Sequence, residues 1–412
     1  MNKIKPCIIG LGYVGLPLIL NISKNLKTFG FDINKKRISN LKKKIDTNKE
    51  FLPSEFNKSL NFTSNLKEIR NCNFYIICVP TPVLKNKKPD LNNLTSAINM
   101  ISKILKKNDI VFIESTIYPG LTEKYRDLLE KKTRLKYNKD FFMGYSPERV
   151  NPGDKIYTLK NINKIVSIDT NKKSILSKVL KVYKIVSKKI IFSKEIKSAE
   201  TAKVIENIQR DLNIALMNEI LLICKKLKIN FKEVVRLAET KWNFLKFNPG
   251  LVGGHCLPVD PYYLSSIAEK NKIKASVTLS GRKVNDKMSN FIIEQLKNFL
   301  KSKNKTIKSS RILLIGLSYK PGIADMRNSI NFKIYKFLLK NSLNVKAFDP
   351  FVENEIRIKY GILKKIDQKN NYDAILFLSK YKKFEEEFNK LNTKKNGFKI
   401  IDPFEYYKSS TK

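Results

Sequence analysis

Short apolar runs alternate with amphipathic stretches along the first half of the chain. Cys7-Ile8-Ile9 is a brief apolar run, and a helical pattern follows over 16–24. A second strand-like segment spans 27–32 and closes on Asp32, and 35–44 again has helical spacing. Further strand-like runs at 74–79, 110–114, 141–144 and 165–168 alternate with helical patterns at 92–106 and 121–131. Alternation of this kind predicts a parallel, doubly wound sheet. From 197 to 226 the pattern changes to one long helix with few breakers, its apolar stripe continued by Ile214, Leu216, Met217, Ile220, Leu221 and Ile223. More helix is expected at 231–239 and around 289–301. The polar, basic stretch 303–309 reads as a linker, after which 311–316 opens a second βα series with later strands at 344–349, 374–378 and 399–402. A length of 412 residues agrees with two or three domains rather than one core.

The first apolar run ends in Gly10-Leu-Gly12-Tyr-Val-Gly15, a G-x-G-x-x-G at the junction of a strand and a helix. Glycines there permit a tight turn and let backbone N–H groups reach a pyrophosphate, which the helix N-terminus also attracts. Asp32 follows about 20 residues later, at the end of the second strand. A carboxylate at that place accepts both ribose hydroxyls and repels a 2′-phosphate, so the expected cofactor is NAD rather than NADP. The expected fold class is therefore α/β: an N-terminal Rossmann-like, NAD-binding parallel sheet over 1–196, a central helical domain over 197–302, and a smaller C-terminal Rossmann-like α/β domain over 303–412.

Hydrophobic residues make up 42% and charged residues 29%, which fits a globular chain. The formal net charge of +44 raises the alternative of a basic nucleic-acid-binding protein on the same scaffold. Against it, the basic residues are mostly lysines, and runs such as Lys42-Lys43-Lys44 sit inside amphipathic helix patterns. No zinc-finger spacing or RNP-like motif is present. The expectation is a solvated lysine-rich surface, with no nucleic-acid or membrane partner, whose field would still attract an anionic substrate. Five irregularly spaced cysteines argue against a disulfide framework. The N-terminal stretch has no signal-peptide core, and no apolar run reaches the length of a membrane span. The expected location is a reducing cytoplasm.

The stretch from Asn248 to Tyr263 is dense in Gly and Pro and carries Cys256 and Asp260 four residues apart. Loops of this kind present reactive groups to ligands, and a thiolate at Cys256 could attack an aldehyde carbon. The other four cysteines lie in or beside apolar runs, or for Cys72 in a polar turn, and read as packing residues. His255 is the sole histidine and neighbours Cys256, so the two side chains should point apart. A single histidine also excludes histidine-rich metal sites, and no metal is expected. Lys203 and Asn207 share one face of the long helix, where an ammonium and an amide could stabilise an oxyanion. Asn213 and Asn218 lie further along it, and polar residues in an otherwise apolar helix can be simple surface.

Taken together, Gly10-Leu-Gly-Tyr-Val-Gly-Leu-Pro, Val79-Pro-Thr-Pro, Ser115-Thr-Ile-Tyr-Pro-Gly, Ser146-Pro-Glu-Arg, Glu206-Asn-Ile-Gln-Arg-Asp-Leu-Asn, Gly253-Gly-His-Cys-Leu-Pro-Val-Asp-Pro and Gly316-Leu-Ser-Tyr-Lys-Pro-Gly resemble the UDP-sugar 6-dehydrogenases, in the family's order and over nearly the whole chain. The resemblance implies a four-electron oxidation of the sugar C6 alcohol to a carboxylate, with NAD taking hydride twice and Cys256 holding the carbon as a thiohemiacetal and then a thioester. It assigns oxyanion stabilisation to Lys203 and Asn207, assistance to Asp260, the hydrolytic base to Glu148 and water ordering to Thr116. Gly10, Gly12, Tyr13, Val14, Gly15, Asp32, Arg37, Thr81 and Arg327 would contact the cofactor. Arg149, Arg210, Asn248, Gly253 and Lys320 would contact the substrate. A homodimer is implied as well. Two departures from the UDP-glucose enzymes, Pro152 in place of a second Glu and Gly-Gly-His-Cys in place of Gly-Gly-Ser-Cys, resemble the N-acetylhexosamine branch. The expected substrate is UDP-GlcNAc or UDP-GalNAc, with UDP-N-acetylmannosamine and UDP-glucose as alternatives.

Overall fold

The computed structural model describes residues 3–48, 50–150, 156–320, 322, 326, 328–367, 371–391 and 400–407. They form two compact units, Met1–Glu206 with Tyr262–Lys274, and Asn207–Pro261 with Ala275–Lys412. Arg327 and Pro152 lie outside the described residues.

The first unit is built on β1 (Pro6–Ile9), β2 (Thr28–Phe31), β3 (Leu60–Thr63), β4 (Phe74–Ile77), β5 (Ile110–Ile113), β6 (Phe142–Tyr145), β7 (Asn163–Ile168) and β8 (Lys189–Ser193). They form one sheet in the order β3-β2-β1-β4-β5-β6-β7-β8. Helices α1 (Gly15–Ile22), α2 (Lys35–Lys42), α3 (Asn92–Ser102), α4 (Leu121–Thr133) and α5 (Lys173–Val186) connect the strands. β1, β4, β5 and β6 are buried along their whole length, as continuous apolar runs in a doubly covered parallel sheet should be. Strand order reverses between β1 and β4, and in such sheets ligands bind beyond the C-terminal strand ends at that reversal.

One junction departs from the expected all-parallel sheet. β7 runs antiparallel to β6, pairing Gly144 with Ile168 and Tyr145 with Ser167. No helix separates β6 from β7 among the described residues, so the chain turns back without the crossover that a parallel pair requires. The reversal carries the start of β7 back beside the segment that leaves β6.

In the long α6 (Ile196–Leu227) the chain passes from the first unit to the second. α7 (Phe231–Ala238) and the start of α8 (Asp260–Lys270) follow, then α9 (Ser276–Lys301). The sequence placed the last helix at 289–301, thirteen residues short of its observed start. Its first half lacks an apolar stripe because polar pairs fill the buried positions: Arg282 meets Asp211, and Asn285 meets Asp211 and Asn218. A second, fully parallel sheet in the order β11-β10-β9-β12-β13 comprises β9 (Ile312–Ile315), β10 (Val345–Phe348), β11 (Ile362–Leu363), β12 (Ala374–Phe377) and β13 (Ile400–Ile401). α10 (Ile330–Asn341), α11 (Asn354–Tyr360) and α12 (Lys382–Leu391) complete it. The α/β class read from the pattern is the class observed.

The two sheets repeat one device. β1 ends at Gly10 with φ +89°, and β9 ends at Gly316 with φ +88°. A Cβ at Gly10 would come within 2.9 Å of the Cys78 carbonyl oxygen, and one at Gly316 within 2.9 Å of Ser379. Glycine is required at both on conformational and steric grounds.

Candidate active site

The glycine turn of the first unit is shaped for a ligand rather than merely for tightness. At Gly15 an added Cβ would sit 1.8 Å from the Gly10 carbonyl oxygen, so this glycine closes the turn onto α1. At Gly12 an added Cβ would meet nothing within 4 Å. The backbone is therefore bare at Gly12 although nothing in the fold demands it, as expected where a pyrophosphate approaches. Tyr13 and Val14 are half-buried on the same turn. Asp32 lies where the motif places it: Oδ2 accepts from Leu11 N at 2.9 Å and Oδ1 from Asn34 N at 2.9 Å. In the second unit the matching carboxylate, Asp349, is fully buried, and its Oδ2 takes Leu317 N, Ser318 N and Ser318 Oγ. That acid braces its own turn, whereas half-buried Asp32 stays near the surface. Arg37 is buried. Its Nε donates to Leu11 O at 3.0 Å, and its guanidinium meets Asp46 and Thr47 at 2.8 Å each. This network ties α2 and the following loop to the glycine turn.

Beyond β4, β5 and β6 the loops are cross-braced. Ser115 Oγ donates to Val79 O at 2.7 Å, and Thr81 Oγ1 to Thr116 O at 2.8 Å. Tyr263 donates to Thr81 O at 2.9 Å. Thr116 is half-buried and follows Glu114, which is fully buried. Glu148 follows β6. Its Oε1 accepts from the N–H groups of Arg149 and Val150 at 2.7 and 2.6 Å, and its Oε2 lies 3.4 Å from Lys164 Nζ. Arg149 is gripped by Glu206 at 2.7 and 3.1 Å and donates to Asn163 O. Lys203 is buried on α6, in the first unit.

In the second unit Asn207 Nδ2 donates to Asp260 Oδ2 at 2.5 Å. Asp260 is itself buried at the start of α8, with its N–H on the Cys256 carbonyl at 2.9 Å. Cys256 is exposed, whereas Cys7, Cys72, Cys78 and Cys224 are buried, and none of the five forms a disulfide. Burial pushes the thiols of Cys7 and Cys78 well up, which makes them inert. Cys72, read as part of a polar turn, packs beside Cys7.

The loop before Cys256 is seated by its glycines. A Cβ at Gly253 would reach Asn328 O at 2.9 Å. One at Gly254 (φ +92°) would reach the Tyr319 ring at 2.7 Å. His255 Nδ1 lies 3.2 Å from Asn328 Nδ2, and its ring meets Tyr319 edge-on, so the imidazole serves the loop's seating. Upstream, Asn218 is fully buried and pairs with Gly250 through both its amide atoms, at 3.0 and 2.8 Å. The sequence left Asn218 open to a simple surface reading. Its signal was the pairing of an Asn on a helix with a Pro-Gly loop distant in the chain, which only the fold brings together. Asn248 and Arg210 are exposed, and Lys320 is half-buried.

The NAD binding domain of the UDP-glucose/GDP-mannose dehydrogenase family matches residues 4–187, its central domain 197–287 and its UDP binding domain 313–409. UDP-N-acetyl-D-glucosamine 6-dehydrogenase of Salmonella typhi is 44% identical over 392 residues, 94% of this chain and 92% of its own. The Pseudomonas aeruginosa enzyme of the same name is 42% identical over 367 residues, 88% and 86% of the two chains. Among solved structures, UDP-D-ManNAc dehydrogenase from Pyrococcus horikoshii has a TM-score of 0.83 at 29% identity, covering 96% of this chain and 93% of that one. With three successive domains matched, the chain is an NAD-dependent oxidoreductase and belongs to the UDP-glucose/GDP-mannose dehydrogenase family.

Proposed function

We propose that the enzyme oxidises the C6 hydroxymethyl group of a UDP-N-acetylhexosamine, UDP-GlcNAc or UDP-GalNAc, to the uronate, for use in a surface polysaccharide. The observation that carries the reading is the one exposed cysteine, held on a glycine-seated loop next to the Asn207–Asp260 pair. The identity to two UDP-N-acetyl-D-glucosamine 6-dehydrogenases favours that sugar over UDP-N-acetylmannosamine and UDP-glucose.

NAD fits the first unit because the turn is bare at Gly12 and Asp32 stands at the end of β2. Gly10, Gly12, Tyr13, Val14 and Gly15 would hold the pyrophosphate side, Asp32 the ribose and Thr81 the rest, with Arg37 fixing the turn. When bound, NAD accepts the hydride that leaves C6 in each oxidation. The chain's own groups do the remainder. The Cys256 thiolate adds to the C6 aldehyde, forming a C–S bond that hydride loss converts to a thioester. Lys203 and Asn207 stabilise the negative oxygen, Asn207 being aimed by Asp260. Thr116 orders a water and Glu148 takes its proton. The water oxygen bonds to C6, the C–S bond breaks and the thiolate is released. Arg149, Arg210, Asn248, Gly253 and Lys320 contact the nucleotide sugar.

We also assign a homodimer. Leu216, Ile223 and Leu227 are exposed on α6 at spacings of seven and four, which puts them on one face of the helix. Five cysteines without a disulfide suit a reducing cytoplasm.

The test is incubation of the purified protein with NAD and each UDP-sugar in turn. Acid formation with UDP-GlcNAc or UDP-GalNAc supports the reading. Turnover of UDP-glucose or UDP-N-acetylmannosamine alone would refute the UDP-GlcNAc or UDP-GalNAc assignment.

A further inference from the structure

Behind Glu148 lies a buried charge cluster for which the mechanism above has no role. Lys164, the second residue of β7, has a side chain with 0% exposure. Its ammonium carries three protons, and three acceptors surround it: Glu114 Oε2 at 2.8 Å, Pro147 O at 3.1 Å and Glu148 Oε2 at 3.4 Å. Glu114, at the end of β5, is equally buried, whereas the Glu148 side chain is 12% exposed. Cys78 beyond β4 and Tyr183 of α5 face the same cluster, and Ser146 beyond β6 closes it through Ile165 O. The antiparallel return of β7 is what brings a lysine to this place.

The charges do not balance: two carboxyl groups share one ammonium. Glu148 is the better-held partner, since two backbone N–H groups donate to its Oε1. Glu114 has no such backbone donors among the described residues, and Tyr183 of α5 faces its carboxyl group. Burial pushes the Glu114 carboxyl up to about 7 against the pull of Lys164. For Lys164, burial works against the ammonium, but Glu114 and then Glu148 hold it above its ordinary range. An ion pair this dry adds little stability compared with an apolar substitute, so its presence calls for another use.

We propose that Lys164, held from behind by Glu114, is a positioning residue for Glu148: it fixes the Oε2 that receives the proton of the attacking water and sets how readily that oxygen takes it. The inference rests on the assignment of Glu148 as the hydrolytic base. Glu114 then adjusts the cluster. With its proton, Lys164 serves Glu148 alone. Without it, Lys164 is shared and Glu148 faces a second negative charge.

The experiment compares E148Q, K164M, E114Q and the E114Q/K164M double variant of the full-length enzyme. Intact-mass measurement during turnover reads the thioester on Cys256, and steady-state pH profiles accompany it. E148Q should accumulate the thioester and lose acid formation. K164M should accumulate it too, with kcat down about tenfold or more, KM for the UDP-sugar nearly unchanged, and the acid limb of the kcat profile moved to higher pH. E114Q should flatten the response of kcat between pH 6 and 8. The double variant removes the two fully buried charges of Lys164 and Glu114 together, so it keeps the question answerable if K164M fails to fold, and it should also accumulate thioester. If E148Q accumulates thioester while the Lys164 variants show neither accumulation nor an altered pH profile, the inference is overturned. If E148Q itself hydrolyses the thioester normally, the Glu148 assignment is what fails.

Discussion

At the scale of single residues, two glycines three positions apart answer different demands. Gly15 is needed by the fold, because a methyl group there collides with backbone. Gly12 meets no neighbour and its φ is not in the left-handed region. Gly12→Ala should therefore leave the melting temperature unchanged while weakening NAD binding about tenfold or more, as a methyl group intrudes on the pyrophosphate. Gly15→Ala should lower both. Calorimetry beside NAD titration separates the two, and equal loss of stability in both variants would contradict the distinction. Glu114 gives a second residue-scale outcome, in stability against pH. Its carboxyl titrates near 7 in the fold against an ordinary value of 4.5, so the unfolded chain gives up the proton first. Its contribution is fully present below about 4.5 and is lost as pH rises through about 7. The Lys164 contribution, from a raised value, persists until pH exceeds its ordinary 10.5. The melting temperature of Glu114→Gln should accordingly fall less than that of the wild type between pH 5 and 8. Parallel curves would show that Glu114 does not titrate in this window.

At the scale of elements, α6 supplies Lys203 and Asn207 and also an exposed apolar face. If α6 forms the proposed homodimer contact, replacing Leu216 and Ile223 by lysine should give a monomer where the unmodified chain is a dimer, read by sedimentation or light scattering. A double variant that remains dimeric would place the interface elsewhere. The same helix shows how far the sequence could be read. Its length and apolar stripe were visible because periodicity reports burial by hydrophobic residues. The first half of α9 was not, because Arg282 and Asn285 satisfy one another's neighbours rather than forming a stripe. The glycine turn and the cysteine loop were legible because each is a contiguous motif with its own chemistry. The Glu114–Lys164 pair was not. Its members are fifty residues apart, and only the reversal of β7 joins them. Alternation of strands and helices says nothing of strand direction when a crossover is missing.

At the scale of the whole molecule, the charge of +44 remains after the family is assigned. A nucleotide sugar and NAD are both anionic, and a strongly positive surface speeds their capture through a field that salt screens within about 8–10 Å. The value of kcat/KM for the UDP-sugar should fall as ionic strength rises from about 0.01 to 0.15 M, with kcat little changed. A kcat/KM insensitive to salt would leave the charge without a part in catalysis.

The central claim is that one chain carries a sugar carbon through two hydride transfers, the second while Cys256 holds it. The most direct measurement is the ratio of NADH to uronate with UDP-GlcNAc or UDP-GalNAc, made on the wild type and on Cys256→Ala. The account predicts two NADH per uronate for the wild type and no uronate for the variant. A ratio of one with free aldehyde as product, or undiminished uronate from Cys256→Ala, would contradict it.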